Sequence, residues 1–173
     1  FLDQVIDSGI KVLKIEGRGR AADYVATVIK TYREAIDSYY EGTFTKEKIN
    51  TWMEALATVY NRGFWSGYYL GQKLGEWSDN PGSNATQKKV YVGKGMHYFP
   101  KSSIAEFKIE AYDIKKGDKI LITGPSTGAQ ELILEDFFVN DVISEKATKG
   151  DSCTLKVPFR IRLSDKMYKI VEN

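Results

Sequence analysis

In Cys153-Thr154-Leu155-Lys156-Val157-Pro158-Phe159-Arg160-Ile161-Arg162-Leu163 every second residue is apolar, with Thr, Lys, Pro and Arg between. That period of two puts Cys153, Leu155, Val157, Phe159, Ile161 and Leu163 on one face of a strand. Pro158 cannot donate to a ladder, so it marks an edge or a bulge where the long strand bends. Ala105, Phe107, Ile109 and Ala111 repeat the pattern against Glu106, Lys108 and Glu110. Gly117-Asp118, Gly124-Pro125 and Gly150-Asp151 punctuate the segment. In such turns Gly accepts positive φ, and Asp is expected to bond the backbone two residues on. Several short strands between turns predict a small, closed antiparallel β-barrel over 88–173. Its predicted interior is Phe107, Ile109, Ile120, Ile122, Cys153, Leu155, Val157 and Ile161.

Upstream the period changes. Val25, Ile29, Tyr32, Ile36 and Tyr39 recur at helical steps, predicting a helix near 21–41 that Gly42 ends. Thr45 is a good N-cap for a second helix, 45–60, whose apolar stripe is Ile49, Trp52, Met53, Leu56 and Val59. Residues 1–10 resemble the end of a helix stopped at Gly9, and Lys11–Glu16 a short strand. Arg62–Gly71 is expected to be an extended, packed aromatic connector. Ser78–Gln87 is a linker by composition. The predicted class is therefore α+β: a mainly helical part over 1–77, a linker over 78–87, then the barrel.

The chain has 173 residues and a net charge of +2. Residues 1–85 sum to −1 and residues 86–173 to +3. This balance permits a nucleic-acid partner for the second half without demanding one. A single cysteine excludes an internal disulfide and fits a reducing, cytoplasmic setting. No run reaches the ~20 apolar residues of a membrane-spanning helix. The start at Phe1, inside an amphipathic pattern, reads as that of an excerpt, so a longer parent protein is expected.

In the strand Lys11–Glu16, Leu13 and Ile15 point one way and Lys14 and Glu16 the other. A charged face entering the turn Gly17-Arg18-Gly19 and then a helix suits the carboxyl end of a β/α-barrel strand, where active sites lie. An internal ion pair holding the barrel end together explains the same alternation. Without its barrel neighbours this strand is expected to be orphaned. It should then pair with another chain, pack on the helices or fray.

Lys14-Ile15-Glu16-Gly17-Arg18, then Tyr24-Val25-Ala26, then Tyr32-Arg33-Glu34-Ala35-Ile36-Asp37, resembles the closing segment of the catalytic domain of peptidase family U32. Arg62-Gly63-Phe64 with Gly67, Tyr68 and Gly71 is similar to the connector that follows it. The sequence departs from the family at Gly19-Arg20-Ala21-Ala22, where many members start the helix with Ser-Pro. The barrel segment resembles the U32 carboxy-terminal domain and, more distantly, domain II of translational GTPases such as elongation factor Tu. The resemblance implies a collagenase-like peptidase whose catalysis lies upstream. Lys14, Glu16 and Arg18 would then be catalytic only in the complete barrel, with the terminal barrel recognising a peptide or protein. It equally implies a second activity, since relatives hydroxylate RNA bases or ubiquinone precursors with a cysteine-held iron–sulfur cluster. In that case the barrel would bind RNA. A third reading makes the barrel a structural cap.

Within this chain Cys153 is expected to be a small core residue, not a ligand or nucleophile. No metal site is evident, and no cofactor is expected in this piece. Lys156, Arg160 and Arg162 would form a basic stripe on one strand, offered as a binding surface against the simpler reading of a solvated face. His97 is placed in a loop between the first two barrel strands. Beside it Tyr98 and Phe99 either stack on a base or plug the barrel end. The partners expected are the upstream domain, a peptide or RNA substrate, and a second copy through the orphaned strand.

Overall fold

Two glycines and one threonine set the helix boundaries. Gly9 takes φ 84° just after α1 (Leu2–Asp7), and Gly42 takes φ 70° just after α2 (Ala22–Tyr40). At the end of α2 the Thr43 amide donates to the Ser38 carbonyl and the Gly42 amide to that of Tyr39, the pair of bonds that closes a Schellman motif. Thr45 caps α3 (Lys46–Ala57) by accepting from the Lys48 amide at 3.4 Å. The N-cap of α2 is Ala21, without a side-chain bond, as the departure from Ser-Pro implies.

The computed structural model describes residues 1–69, 71 and 81–173. It divides into one unit of residues 1–86 with Asn173, and another of 87–172. Leu70 of the expected connector, residues 72–77 of the helical part and 78–80 of the linker lie outside the described residues.

The buried side of α2 is not the predicted stripe. Val28, Thr31, Ala35 and Ser38 are buried, whereas Ile29 and Tyr32 are exposed. Small residues let two helices approach closely, and here α3 packs on α2. Lys48 fastens the turn between them by donating to Ser38 Oγ at 3.0 Å and Thr43 Oγ1 at 2.7 Å. Lys11–Glu16 joins no sheet among the described residues, because a lone strand has no neighbour to bond. Phe64, Trp65, Tyr68 and Tyr69 are exposed, so the connector is not packed as expected. After it, the Asn84 and Thr86 amides donate to the carbonyls of Asn61 and Ala57.

The second unit is antiparallel throughout. Its strands are β1 (Gln87–Phe99), β2 (Ile104–Ile109), β3 (Ile114–Lys115), β4 (Lys119–Gly124), β5 (Gly128–Ile133), β6 (Phe137–Val139), β7 (Val142–Ser144), β8 (Lys146–Ala147), β9 (Ser152–Lys156) and β10 (Lys166–Glu172). Eight of them form one sheet in the order β5-β4-β10-β1-β2-β9-β6-β7, and β3 pairs with β8. No ladder among the described residues joins β5 to β7, so the sheet curls around its core without a hydrogen-bonded closure. All eight residues predicted inside are buried in one cluster, together with Val92, Ile114, Leu134, Phe137 and Met167.

Two boundaries differ from the sequence reading. The long strand predicted over 153–163 ends at Lys156, two residues before Pro158, although alternate burial continues to Val157 and Ile161. Arg160 and Arg162 therefore lie beyond the strand that carries Lys156. His97 sits in β1 rather than a loop, opposite Glu106, with the register slipping between Gly95 and His97.

The turns follow one design used three times. The amides of Lys115, Thr148 and Arg162 donate to Oδ2 of Asp118, Asp151 and Asp165 at 2.8, 2.7 and 2.8 Å. In each, the Asp amide donates back to the first residue's carbonyl at 3.0–3.1 Å. These aspartates bond the backbone three residues before them, not two residues on. The residue preceding each Asp has positive φ: Gly117 at 88°, Gly150 at 100° and Ser164 at 69°.

Candidate functional site

Residues paired across antiparallel strands point to the same side of a sheet. Since Ala105, Phe107 and Ile109 face the core, Ile104, Glu106 and Lys108 face outward. The ladders extend this outer surface into a row: His97 opposite Glu106, Glu106 opposite Thr154, Thr154 opposite Phe138, and Phe138 opposite Ile143. A second row holds Phe99, Ile104 and Lys156. Phe99 is 44% exposed, Phe138 45% and Ile143 63%. At about 4.8 Å between strands, β1 and β6 stand ~14 Å apart, so the aromatic side chains bracket a shallow platform.

Its charges are largely engaged. Glu106 accepts from Ser152 Oγ at 2.7 Å, and Lys94 bridges Glu110 at 2.8 Å. Lys108 donates to the Gly150 carbonyl. Lys156 has no partner among the described residues. Of the predicted binding residues, Lys156 and Phe99 share this face. Tyr98 packs against the core, which favours the plug over the stacking reading for that ring. The His97 ring stands 4.4 Å from that of Phe99, edge to face. Sequence reasoning missed Phe138 and Ile143; their signal is Asn140-Asp141, at φ 48° and 65°, the two-residue turn that makes β6 and β7 a hairpin.

Lys14, Glu16 and Arg18 are all exposed on one loop. The Arg18 amide donates to Glu16 Oε1 at 2.7 Å, shaping the turn at Gly17. No ion pair joins Lys14 to Glu16 among the described residues.

Cys153 is fully buried on β9, and burial pushes its thiol up to about 12, followed by the nearby charges of Asp151 and Glu106. No group of three or more His, Cys, Asp or Glu among the described residues is arranged to hold a metal ion. One protonated, enclosed thiol does not fit an iron–sulfur cluster.

Sequence reasoning also passed over a cleft in the first unit. It has a volume of about 450 Å³ and lies between the start of α2 and the residues after α3. There the Arg20 guanidinium stacks on Tyr60, its carbon 3.9 Å from the ring centroid, while Arg62 Nε donates to the Tyr60 hydroxyl at 2.9 Å. No described helix is long and apolar enough to cross a membrane.

A helical unit is thus followed by a curled antiparallel sheet with exposed aromatic side chains on its outer face. The comparisons fix the class. Residues 1–79 match the model of peptidase family U32. The chain is 49% identical to a collagenase of Porphyromonas gingivalis over 98% of its own length and 41% of that protein's. It is 34% identical to an uncharacterized protease of Methanocaldococcus jannaschii over 99% of its length and 41% of the relative's. The tRNA hydroxylation protein P1 of Bacillus subtilis is 30% identical over 72% of the chain and 29% of that protein. Among solved structures, the carboxy-terminal domain of a Geobacillus thermoleovorans protein described as a U32 peptidase aligns with a TM-score of 0.43 and 19% identity. That alignment covers 45% of this chain and 96% of the other. The chain belongs to peptidase family U32, and it spans less than half the length of the curated relatives it matches.

Proposed function

We propose that this chain is the substrate-handling part of a collagenase-like U32 peptidase, with the bond-breaking groups elsewhere in the longer protein. The observation that carries this reading is the outer face of the sheet. It presents Phe99, Ile104, Phe138 and Ile143 in two rows, while Lys94 and Lys108 are already engaged. Exposed apolar side chains, with Lys94 paired to Glu110, suit a polypeptide better than a polyanion. The collagenase likeness runs through both units, whereas the likeness to the tRNA hydroxylation protein covers 72% of the chain.

In this reading Lys11–Glu16 supplies a strand to a β/α-barrel completed by the rest of the protein, and Lys14, Glu16 and Arg18 line its mouth. Glu16→Gln in the full-length protein tests those roles. Among the described residues Glu16 makes only the local bond to the Arg18 amide, so the substitution should leave the melting temperature within about 2 °C. Activity of the folded protein should fall ten-fold or more. Normal specific activity with a sharply lower melting temperature would make Glu16 structural.

A second reading has one specific support. Aromatic side chains beside an unengaged Lys156 on an open sheet resemble a base-stacking platform. An RNA-modifying enzyme of the same family would use it to hold RNA.

A further inference from the structure

The cleft in the first unit points to a ligand that neither family reading supplies. Among the described residues its lining contains Arg20 and Arg62 and no carboxylate, in a half of the chain whose net charge is −1. Neither arginine has an acidic partner among the described residues; both are spent on Tyr60, one on its face and one on its hydroxyl. The Arg62 hydrogen bond, with Arg20 also contributing, holds the Tyr60 phenol below its ordinary range. That is the sign expected where positive charge is not neutralised.

The local fold fixes this arrangement. The Arg20 amide donates to the Gly17 carbonyl at 3.0 Å, closing the turn that brings Arg20 over the ring. Asn61 holds the other side: its Nδ2 donates to the Val59 carbonyl at 3.0 Å, and its Oδ1 accepts from the Gly63 amide at 3.1 Å. Arg62 therefore projects from a braced turn. The floor is apolar, made by Val28, Leu56 and Val59, and Tyr24 and Tyr32 stand on the α2 side. A planar guanidinium stacked on one ring keeps in-plane donors for a carboxylate or phosphate. The aromatic and aliphatic walls favour a flat, apolar body behind that anion, and about 450 Å³ suits a small molecule or one terminal residue.

We propose that the Arg20–Tyr60–Arg62 cleft is a binding site for a planar ring carrying one anionic group, either a nucleotide or an aromatic carboxylate such as a peptide's terminal residue. Titration calorimetry on the full protein distinguishes the sources. The probes are uridine 5′-monophosphate and N-acetylphenylalanine, each against its uncharged counterpart, uridine and N-acetylphenylalaninamide. One of the two anions should bind with Kd at or below about 1 mM and its neutral counterpart at least ten-fold more weakly. Arg20→Gln and Arg62→Gln should each weaken that binding ten-fold or more. Should either variant fold poorly, Arg20→Lys keeps the charge without the flat stack, and is expected to recover part of the affinity. Failure of both anions to bind below about 10 mM, or wild-type binding by the folded variants, would overturn the proposal.

Discussion

Gly124 lies against the carboxylate of Asp165, so close that a Cβ on Gly124 would stand 1.8 Å from Oδ1. Asp165 is itself buried, accepting from Thr127 Oγ1 and the Arg162 amide while its carbonyl accepts from the Gly95 amide at 2.7 Å. Asp165 thus links the β4–β5 turn, through its carboxylate, and β1, through its carbonyl, to the turn before β10. Room for that carboxylate exists only because position 124 has no side chain.

Gly124→Ala should therefore destabilise the protein by about 2–3 kcal/mol, the cost of forcing an atom into a filled site. Gly82→Ala is the control, because its added Cβ meets nothing within 4 Å. Urea denaturation should show the first change and leave the second within ~0.5 kcal/mol of the parent. Equal effects would mean that the Asp165 contact does not decide the cost.

Ser164 occupies a position where the two sister turns carry glycine, and its φ of 69° is in the left-handed region. Ser164→Gly relieves roughly 1–2 kcal/mol of backbone cost. It loses ~0.4–1 kcal/mol of that through a freer unfolded chain. A net gain of about 0–1.6 kcal/mol is expected, while Ser164→Val, branched at Cβ, should lose stability. A destabilising Ser164→Gly would show that the serine side chain has a role the geometry does not reveal.

Tyr91 and Glu110 set opposite ends of the pH profile. Burial, then the hydrogen bond to Glu110, pushes the Tyr91 phenol up to about 12. Its folded value lies above the unfolded ~10, so its contribution is complete below pH 10 and lost on rising to 12. Hydrogen bonds from Lys94 and then Tyr91 hold Glu110 below the usual carboxylate range. Its contribution is complete above the ordinary ~4.3 and lost as pH falls through the depressed value. Tyrosinate absorbance should show a late-titrating phenol that Tyr91→Phe removes, and Glu110→Gln should reduce acid sensitivity. A Tyr91 that ionises with the exposed tyrosines would contradict this arrangement.

The core of the sheet was legible because a period of two has one physical meaning when one face is buried. Its ends were not. The 153–163 alternation survives as burial after the ladder stops, because Pro158 removes a donor without altering which side chains point inward. Gly95 and Pro100 made the His97 segment resemble a turn, yet the glycine lies in β1 at a register slip. In α2 the large side chains drew attention, while the buried positions are Val28, Thr31, Ala35 and Ser38, small enough for another helix to approach. The Arg20–Tyr60–Arg62 cleft had no signal, since Arg20 lies forty residues before Tyr60 and no motif joins the two.

The central claim is that the outer sheet face holds polypeptide. Binding of the chain to denatured collagen and to bulk tRNA, each at about 50 and 200 mM salt, tests it most directly. The account predicts retention on denatured collagen that changes little with salt and is abolished by Phe99→Ala with Phe138→Ala. It predicts tRNA binding no stronger than that of the double variant. Steeply salt-dependent tRNA binding that the two substitutions abolish, with no retention on denatured collagen, would contradict the claim and establish the RNA reading.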